Sequence, residues 1–297
     1  MIQRRGLLFL REHDRSHRTG SEGGIGMERI ESGTNGKIKL AASLHQRKYR
    51  EKEGRFVVEG LRFAEMAAAS DWIPTMAFVT AEAAKNPRGE RVLAQLFARG
   101  CPVYEVSAAL YQKAAATVTP QGLLVVMECR RKMLEDLTTG APALWVVLDG
   151  VQDPGNAGTI LRTADAAGAT AFITLDETTD LFSDKALRAS MGSLFHLPVV
   201  TNVSRGTFIR FAEEQGVKLF AAALTSTACL HFSTDYRDPV ALVLGQEGSG
   251  VSTEILEAAE PLYIPMVGQA ESLNVSAAAA VLLYEALRQR RYGRADA

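Results

Sequence analysis

The segment Leu144-Trp-Val-Val-Leu148, followed by Asp149-Gly-Val-Gln-Asp-Pro-Gly-Asn156, decides the fold of this sequence. Five consecutive apolar residues are typical of a parallel strand that is buried on both faces. We predict that Asn156 caps a helix from about residue 157 to residue 167, which ends at Gly168 because glycine accepts the left-handed conformation there. A buried strand that leads into a helix indicates an α/β fold, in which ligands bind beyond the carboxyl ends of the strands.

Two later segments repeat this strand–loop–helix pattern. The strand Val240-Ala-Leu-Val-Leu244 leads into Gly245-Gln-Glu-Gly-Ser-Gly250, and a helix is predicted from about Ser252. The strand Leu262-Tyr-Ile-Pro-Met266 leads through a polar loop to Asn274, the predicted cap of a helix that runs to about Arg291.

Each of these loops is ambiguous by itself. The glycine-rich loop lacks the Gly-Lys-Ser/Thr element of a P-loop. Asn156 and Asn274 have a structural interpretation as helix caps, and Glu247 has one as a carboxylate at a helix start, beside any functional role.

The sequence divides into a smaller N-terminal α/β domain, residues 27–130, a polar linker, residues 131–143, and a second domain, residues 144–297. Residues 1–26 are expected to form a disordered leader, with Met27 as a candidate native start. The predicted strands of the first domain are 56–59, 76–79, 103–106 and 123–127, and its predicted helices are 36–50, 61–69 and 90–98.

Composition narrows the class of protein. No apolar run approaches the ~20 residues that span a bilayer, and three isolated cysteines and five scattered histidines form no zinc or disulfide pattern. We therefore expect a reduced, cytoplasmic protein without a metal or a membrane anchor. The net charge of −1 argues against nucleic acid as a partner, but residues 37–62 are locally basic. A solvated helix face is an equally good interpretation of that basic segment.

Four ordered stretches identify a family when they are taken together: Asn156–Ala164, Lys185–Ser193, Leu244–Gly250 and Ile264–Ser276. They resemble the SpoU/TrmH family of RNA 2′-O-ribose methyltransferases, within the SPOUT superfamily. Upstream, residues 30–35, 54–60 and 119–122 are similar to the ribosomal-protein-like substrate-binding domain that often precedes the SpoU domain. The resemblance covers nearly everything after Met27.

This resemblance implies an α/β SPOUT domain with a mainly parallel sheet and a deep trefoil knot. It also implies a homodimer and S-adenosylmethionine as the methyl donor. The expected cofactor contacts are Leu244, Gly245, Ile264, Met266 and Leu273. The positions expected to act in catalysis are Asn156, Arg162, Glu247, Ser272 and Asn274, and those expected to contact RNA are Lys48, Arg50, Lys52 and Arg188.

Arg162 is the position that the family resemblance favours for catalysis. An arginine is a poor general base because its pKa exceeds 12. We therefore expect Arg162 to hold a phosphate and to stabilise the charge that develops on the attacking oxygen. Pairing with a carboxylate is the structural alternative.

The substrate is less constrained than the reaction. Ribosomal RNA is favoured because the two-domain layout resembles rRNA-modifying members, with transfer RNA as the alternative. A second hypothesis is a SpoU-like protein that binds RNA but is catalytically silent. A third, a nucleotide-dependent oxidoreductase, lacks the required early glycine fingerprint, which Gly155 and Gly158 do not supply.

Overall fold

The computed structural model describes residues 27–130, 132–137 and 142–293. The expected leader, residues 1–26, lies outside this range. The described chain forms two sheets, and we refer to residues 27–130 as the N-terminal unit and to residues 142–293 as the C-terminal unit.

The N-terminal unit has a five-stranded sheet in the order β1-β4-β3-β5-β2, in which β5 is antiparallel to both of its neighbours. Its strands are β1 (Glu28–Ile30), β2 (Arg55–Glu59), β3 (Pro74–Val79), β4 (Val103–Val106) and β5 (Leu123–Glu128). Its helices are α1 (Gly36–Ser43), α2 (Arg47–Glu53), α3 (Leu61–Ala69), α4 (Ala81–Ala84), α5 (Pro87–Ala98) and α6 (Ala108–Ala114).

The C-terminal unit has a seven-stranded parallel sheet in the order β10-β12-β9-β11-β6-β7-β8. Its strands are β6 (Leu144–Asp149), β7 (Ala171–Leu175), β8 (Val199–Val203), β9 (Lys218–Ala222), β10 (Cys229–Leu230), β11 (Val240–Gly245) and β12 (Glu260–Tyr263). Its helices are α7 (Pro154–Ala166), α8 (Asp184–Ser190), α9 (Arg205–Glu214), α10 (Thr253–Ala258) and α11 (Val275–Tyr292).

Strand β6 is buried along its whole length, as five consecutive apolar residues predict. Its side chains alternate between two cores: Val146 contributes to the core that includes α7, α8 and α11, and Val147 to the core that includes α9 and α10. The register with β11 pairs Leu148 with Leu244 and Asp149 with Gly245. The loops after these two strands therefore leave the sheet side by side. The trefoil knot stays a prediction.

Three predicted elements differ from the structure. The helix predicted over residues 36–50 is two helices, α1 and α2, and the strand predicted to reach Met266 ends at Tyr263. Asn156 is not a helix cap: α7 begins earlier, and the side chain of Asp153 caps it by accepting from the Asn156 N–H at 2.9 Å. This correction leaves the Asn156 side chain available for other contacts.

An aromatic cluster joins the two units into one continuous core. Phe56 and Trp72 of the N-terminal unit pack against Phe182 and Phe195 of the C-terminal unit. The ring centroids of Phe56 and Phe182 lie 5.1 Å apart, and those of Trp72 and Phe195 lie 5.6 Å apart. Apolar burial of this kind fixes the position of one unit against the other.

Arg50 forms a buried ion pair across the same boundary. Its side chain is 6% exposed and donates to Asp180 at 2.7 and 3.0 Å and to the Leu44 carbonyl at 2.7 Å. The expectation that Arg50 contacts RNA is therefore wrong, because the guanidinium is withdrawn from solvent and already paired. Its neighbours Lys48 and Lys52 are exposed.

His45 forms a second polar link between the units. Its Nδ1 lies 3.0 Å from both carboxylate oxygens of Asp184, and its Nε2 lies 2.7 Å from the Ala114 carbonyl oxygen. Burial by itself would lower the pKa of His45, but Asp184, the Ala114 carbonyl and, more weakly, Glu59 outweigh it. The pKa is therefore raised above its ordinary value of 6.5.

We predict that this link weakens as the pH rises. A raised pKa in the folded protein contributes stability that is complete below pH 6.5 and is lost as the pH rises through the pKa of the folded state. The difference in melting temperature between wild type and His45→Gln should therefore shrink between about pH 5.5 and about pH 8.5. His196→Gln is the control for a histidine–carboxylate pair that does not link the units, because the exposed His196 lies with its Nδ1 2.8 Å from Asp165 within the C-terminal unit. A difference that is constant with pH would contradict this role for His45.

Candidate active site

Three loops meet at the carboxyl edge of the large sheet. The first loop, residues 150–153, follows β6 and leads into the first turn of α7, which carries Asn156. The second loop, residues 246–252, follows β11, and the third, residues 264–274, follows β12. All three strands run parallel in one sheet, so their carboxyl ends lie at the same edge. β6 and β11 are adjacent there, and β9 separates β11 from β12.

A chain of hydrogen bonds joins the three loops. The Asn156 Nδ2 donates to Glu247 Oε1 at 2.9 Å, and the Asn274 Nδ2 donates to Asn156 Oδ1 at 3.2 Å. Asn274 also caps α11, as predicted, by accepting from the Ser276 N–H at 2.8 Å. The expectation that Asn156, Glu247 and Asn274 converge is confirmed. We call these three residues the polar triad.

Glu247 accepts from the backbone as well as from Asn156. The N–H groups of Gln152 and Asp153 lie 3.2 and 3.4 Å from its carboxylate oxygens. Burial by itself would raise the pKa of Glu247, but the Asn156 side chain and the backbone N–H groups of Glu247 itself, Gln152 and Asp153 outweigh it and hold the pKa below its ordinary value. Glu247 is therefore ionised at neutral pH. Its carboxylate anchors the first loop and does not serve as a proton donor.

The second loop is held by its own backbone and by a buried carboxylate. Gln246 and Gly250 exchange backbone hydrogen bonds of 3.0 and 2.9 Å. Asp149, whose side chain is buried, accepts from the Ser252 N–H and from Arg205 Nε, each at 2.8 Å. The loop thus has a fixed shape at the edge of the sheet.

The close packing of the second loop explains why residue 245 is a glycine. A Cβ at Gly245 would lie 2.2 Å from the carbonyl carbon of Gly250 and from the nitrogen of Val251. Leu244 is 1% exposed in the core. Neither residue lines the cavity that the other expected cofactor contacts form, which departs from the sequence-based expectation for these two positions.

A cavity of about 170 Å³ opens beside the polar triad. Ile264, Met266, Ser272 and Leu273, which the sequence had indicated, line it. Sequence reasoning missed further lining residues, among them Ala222, Ala223, Leu224, Glu271 and Ala278. The available signal was the apolar run 219–224 before polar Thr225, which predicts another strand that ends at this edge.

The cavity suits S-adenosylmethionine. Its rim is apolar and open to solvent: Leu224 is 78% exposed, Met266 38% and Leu273 40%. Such side chains are suited to the flat face of an adenine ring. Glu271 supplies a carboxylate for a cationic ligand, and Ser272 supplies a hydroxyl. Among the described residues, no group of three or more His, Cys, Asp or Glu side chains is arranged to hold a metal ion.

Two exposed arginines lie outside this cavity: Arg162 from the expected catalytic set and Arg188 from the expected RNA contacts. Arg162 lies on α7 and is exposed, and within the described ranges its side chain has no ion pair or hydrogen bond. Arg188 lies on the neighbouring helix α8 and is also exposed, and its side chain likewise has no partner among the described residues. The exposed arginines are therefore available to an anionic partner.

Comparison with known proteins decides the family. The model of the SpoU rRNA Methylase family matches residues 143–284, and that of the MRM3-like substrate binding domain matches residues 35–125. The 23S rRNA (guanosine(2553)-2′-O)-methyltransferase RlmP of Bacillus subtilis (strain 168) is 38% identical over 87% of this chain and 98% of that protein. The chain belongs to the SpoU rRNA methylase family.

Solved structures agree with this SpoU assignment. The AdoMet-bound rRNA methyltransferase of Sinorhizobium meliloti superposes with a TM-score of 0.79 at 34% identity, over 89% of this chain and 98% of that one. The SpoU methyltransferase AviRb of Streptomyces viridochromogenes, in complex with AdoMet, gives a TM-score of 0.79 at 28% identity, over 88% of this chain and all of that one. The expected SPOUT α/β fold class is confirmed.

We predict a pH-dependent defect when Asn156 is changed to Asp. The substitution places a second carboxylate where the amide now donates to Glu247, and two carboxylates at this distance cannot both be ionised without cost. The loss of melting temperature relative to wild type should be small near pH 5, where the pair shares a proton, and should grow toward pH 8. Asn156→Ala should show a loss that does not vary with pH, and the same flat profile for Asn156→Asp would refute the pairing.

Proposed function

We propose that this protein transfers a methyl group from S-adenosylmethionine to a ribose 2′-hydroxyl of ribosomal RNA. The observation that carries the proposal is the polar triad beside an apolar cavity. Asn156 of the triad lies on α7, and the same helix presents the exposed Arg162. The family relationship supports it, because its members include proteins named as rRNA 2′-O-methyltransferases.

S-Adenosylmethionine supplies an activated methyl group when bound, so the protein needs no nucleophile of its own. The chain must instead hold the ribose oxygen at near-attack distance, roughly 3–3.5 Å, and favour loss of its proton. Ile264, Met266 and Leu273 would hold the cofactor. The polar triad would keep the loops around it in one arrangement, and Ser272 would complete the polar wall.

Arg162 would act on the RNA side of this site. Its permanent positive charge suits a phosphate next to the target nucleotide and an oxygen on which negative charge develops. Its side chain has no partner among the residues that the structure describes, which favours this role over the alternative of a structural ion pair.

Ribosomal RNA is favoured over transfer RNA as the substrate. The RlmP and RlmB relatives are named for 23S rRNA, and the RlmP relative is matched along nearly its whole length. The N-terminal unit, with the exposed Lys48 and Lys52, would contribute to RNA binding. We place the protein in the cytoplasm, where ribosomal RNA is available. In the described ranges, no helix has the length and apolar character needed to cross a bilayer.

We also propose that the protein is a homodimer. An apolar stripe on α11 remains uncovered in the single chain: Val281 is 37% exposed and Tyr284 52%, and Ala277 precedes them on the same face. Exposed apolar side chains on one helix face are typical of a protein–protein interface.

We predict that Arg162→Ala reduces the rate of methyl transfer by at least ~10²-fold, as expected when a charge-stabilising donor is removed. Calorimetric titration with S-adenosylmethionine should show unchanged affinity. Arg162→Lys should recover part of the rate because it keeps the charge but loses the bidentate geometry. Arg210→Ala, an exposed arginine on α9, is the matched control.

Equal turnover of wild type and Arg162→Ala would reject the role of Arg162. The catalytically silent alternative gives a different result: no transfer by the wild type under any condition, with RNA binding intact.

A further inference from the structure

A second cavity lies between the two units. This inter-unit cleft has a volume of about 300 Å³, and residues from both units line it, including Glu59, Arg62, Phe63, Gln121, Leu187 and Arg188. It is separate from the cavity beside the polar triad, with which it shares no lining residue. The site described above gives it no role.

The cleft presents hydrogen-bond donors that have no partner in the described protein. Arg62 on α3 and Arg188 on α8 are exposed, and the side chain of each lacks an ion pair or hydrogen bond within the described residues. The Gln121 Oε1 accepts from the Leu61 N–H at 2.9 Å, which leaves the amide NH₂ of Gln121 free. The cleft therefore favours a ligand that is rich in acceptors and carries negative charge.

Glu59 does not cancel this preference. Its carboxylate accepts from the N–H groups of Ala116 and Thr117 at 2.9 and 3.3 Å, and from the Thr117 hydroxyl. Its acceptor positions are thus largely occupied by the loop that forms one wall. The lining contains two arginines, Arg62 and Arg188, and one carboxylate, Glu59, so its net charge is positive.

Apart from Thr117 and Thr119, the side chains that complete the lining are apolar. Phe63 and Met66 come from α3, Leu187 comes from α8, and Met191 follows α8. Aromatic and thioether side chains beside arginines are suited to the face of an unstacked base, and the donors are suited to its carbonyls and to the adjacent phosphate. A nucleotide combines a flat base, several acceptors and a negative charge, and so fits this lining.

Helix α8 connects this cleft to the active site. Arg188 lines the cleft, and Lys185, three residues earlier on the same helix, forms an ion pair with Asp153, the cap of α7. Lys185 and Arg188 are three residues apart, a rise of roughly 4.5 Å along α8, so this helix places the cleft and the start of α7 close together. A strand of RNA that places one nucleotide at the polar triad can therefore reach the cleft with a nearby nucleotide.

We propose that the inter-unit cleft binds an unpaired nucleotide of the RNA substrate, close in the strand to the one that is methylated. The cleft would select RNA in which a second nucleotide near the target is unstacked. This inference rests on the proposed function and adds to it a specificity-determining site that only the contact between the two units creates.

The test compares Arg62→Gln and Arg188→Gln with Arg210→Gln, which removes an exposed arginine from α9, on the opposite face of the large sheet. The substrate is an unmodified 23S rRNA transcript, and the donor is radiolabelled S-adenosylmethionine. Each cleft variant should raise KM for RNA several-fold with kcat and cofactor affinity near wild type. The slope of log binding constant against log salt should fall by about 0.7–1 for each lost phosphate contact. Arg210→Gln should match wild type in every measurement.

Cleft variants that behave like Arg210→Gln would overturn the proposal, and so would variants that lower kcat alone. Failure of the proposed function looks different, because the wild type would then transfer no label to the transcript. In that event, fluorescence anisotropy with a labelled single-stranded RNA 20-mer of mixed sequence decides the cleft proposal. The two cleft variants should still bind this probe more weakly than Arg210→Gln, and equal binding by all three would refute it.

Discussion

The carboxylate of Glu247 holds together loops that leave two different strands. It accepts from the Asn156 side chain and from the backbone N–H groups of Gln152 and Asp153, and Asn156 in turn accepts from Asn274 at the start of α11. Hydrogen bonds to an ionised group are stronger than neutral ones and fix direction as well as distance. The cavity beside them has a defined shape only while these loops stay in register, so the proposed chemistry depends on this interaction.

The parallel sheet makes the interaction possible. Adjacent strands β6 and β11 end at the same level, which brings the first and second loops together before any side chain contributes. The buried Asp149 then secures the second loop through the Ser252 N–H and is paired with Arg205. Across the molecule, the aromatic cluster and the Arg50–Asp180 pair fix the N-terminal unit. Removing one partner of a buried pair of this kind typically costs about 3–5 kcal/mol.

The sequence predicted the large sheet well because runs such as Leu144–Leu148 are apolar throughout, which is typical of parallel strands with two buried faces. It also predicted that Asn156, Glu247 and Asn274 converge. It could not show that Asp153 takes over the capping of α7, since both residues are good caps and only the backbone decides between them. Nor could it show that Arg50 is buried, because its partner Asp180 is distant in sequence and the surrounding segment looks like a solvated basic face.

The most direct test of the account locates the transferred methyl group. Unmodified 23S rRNA is incubated with the protein and radiolabelled S-adenosylmethionine, digested to nucleosides and separated by chromatography. We predict that the label elutes with a single 2′-O-methylnucleoside, because the proposed site delivers the methyl group to a sugar oxygen. Label on a base-methylated nucleoside would contradict it.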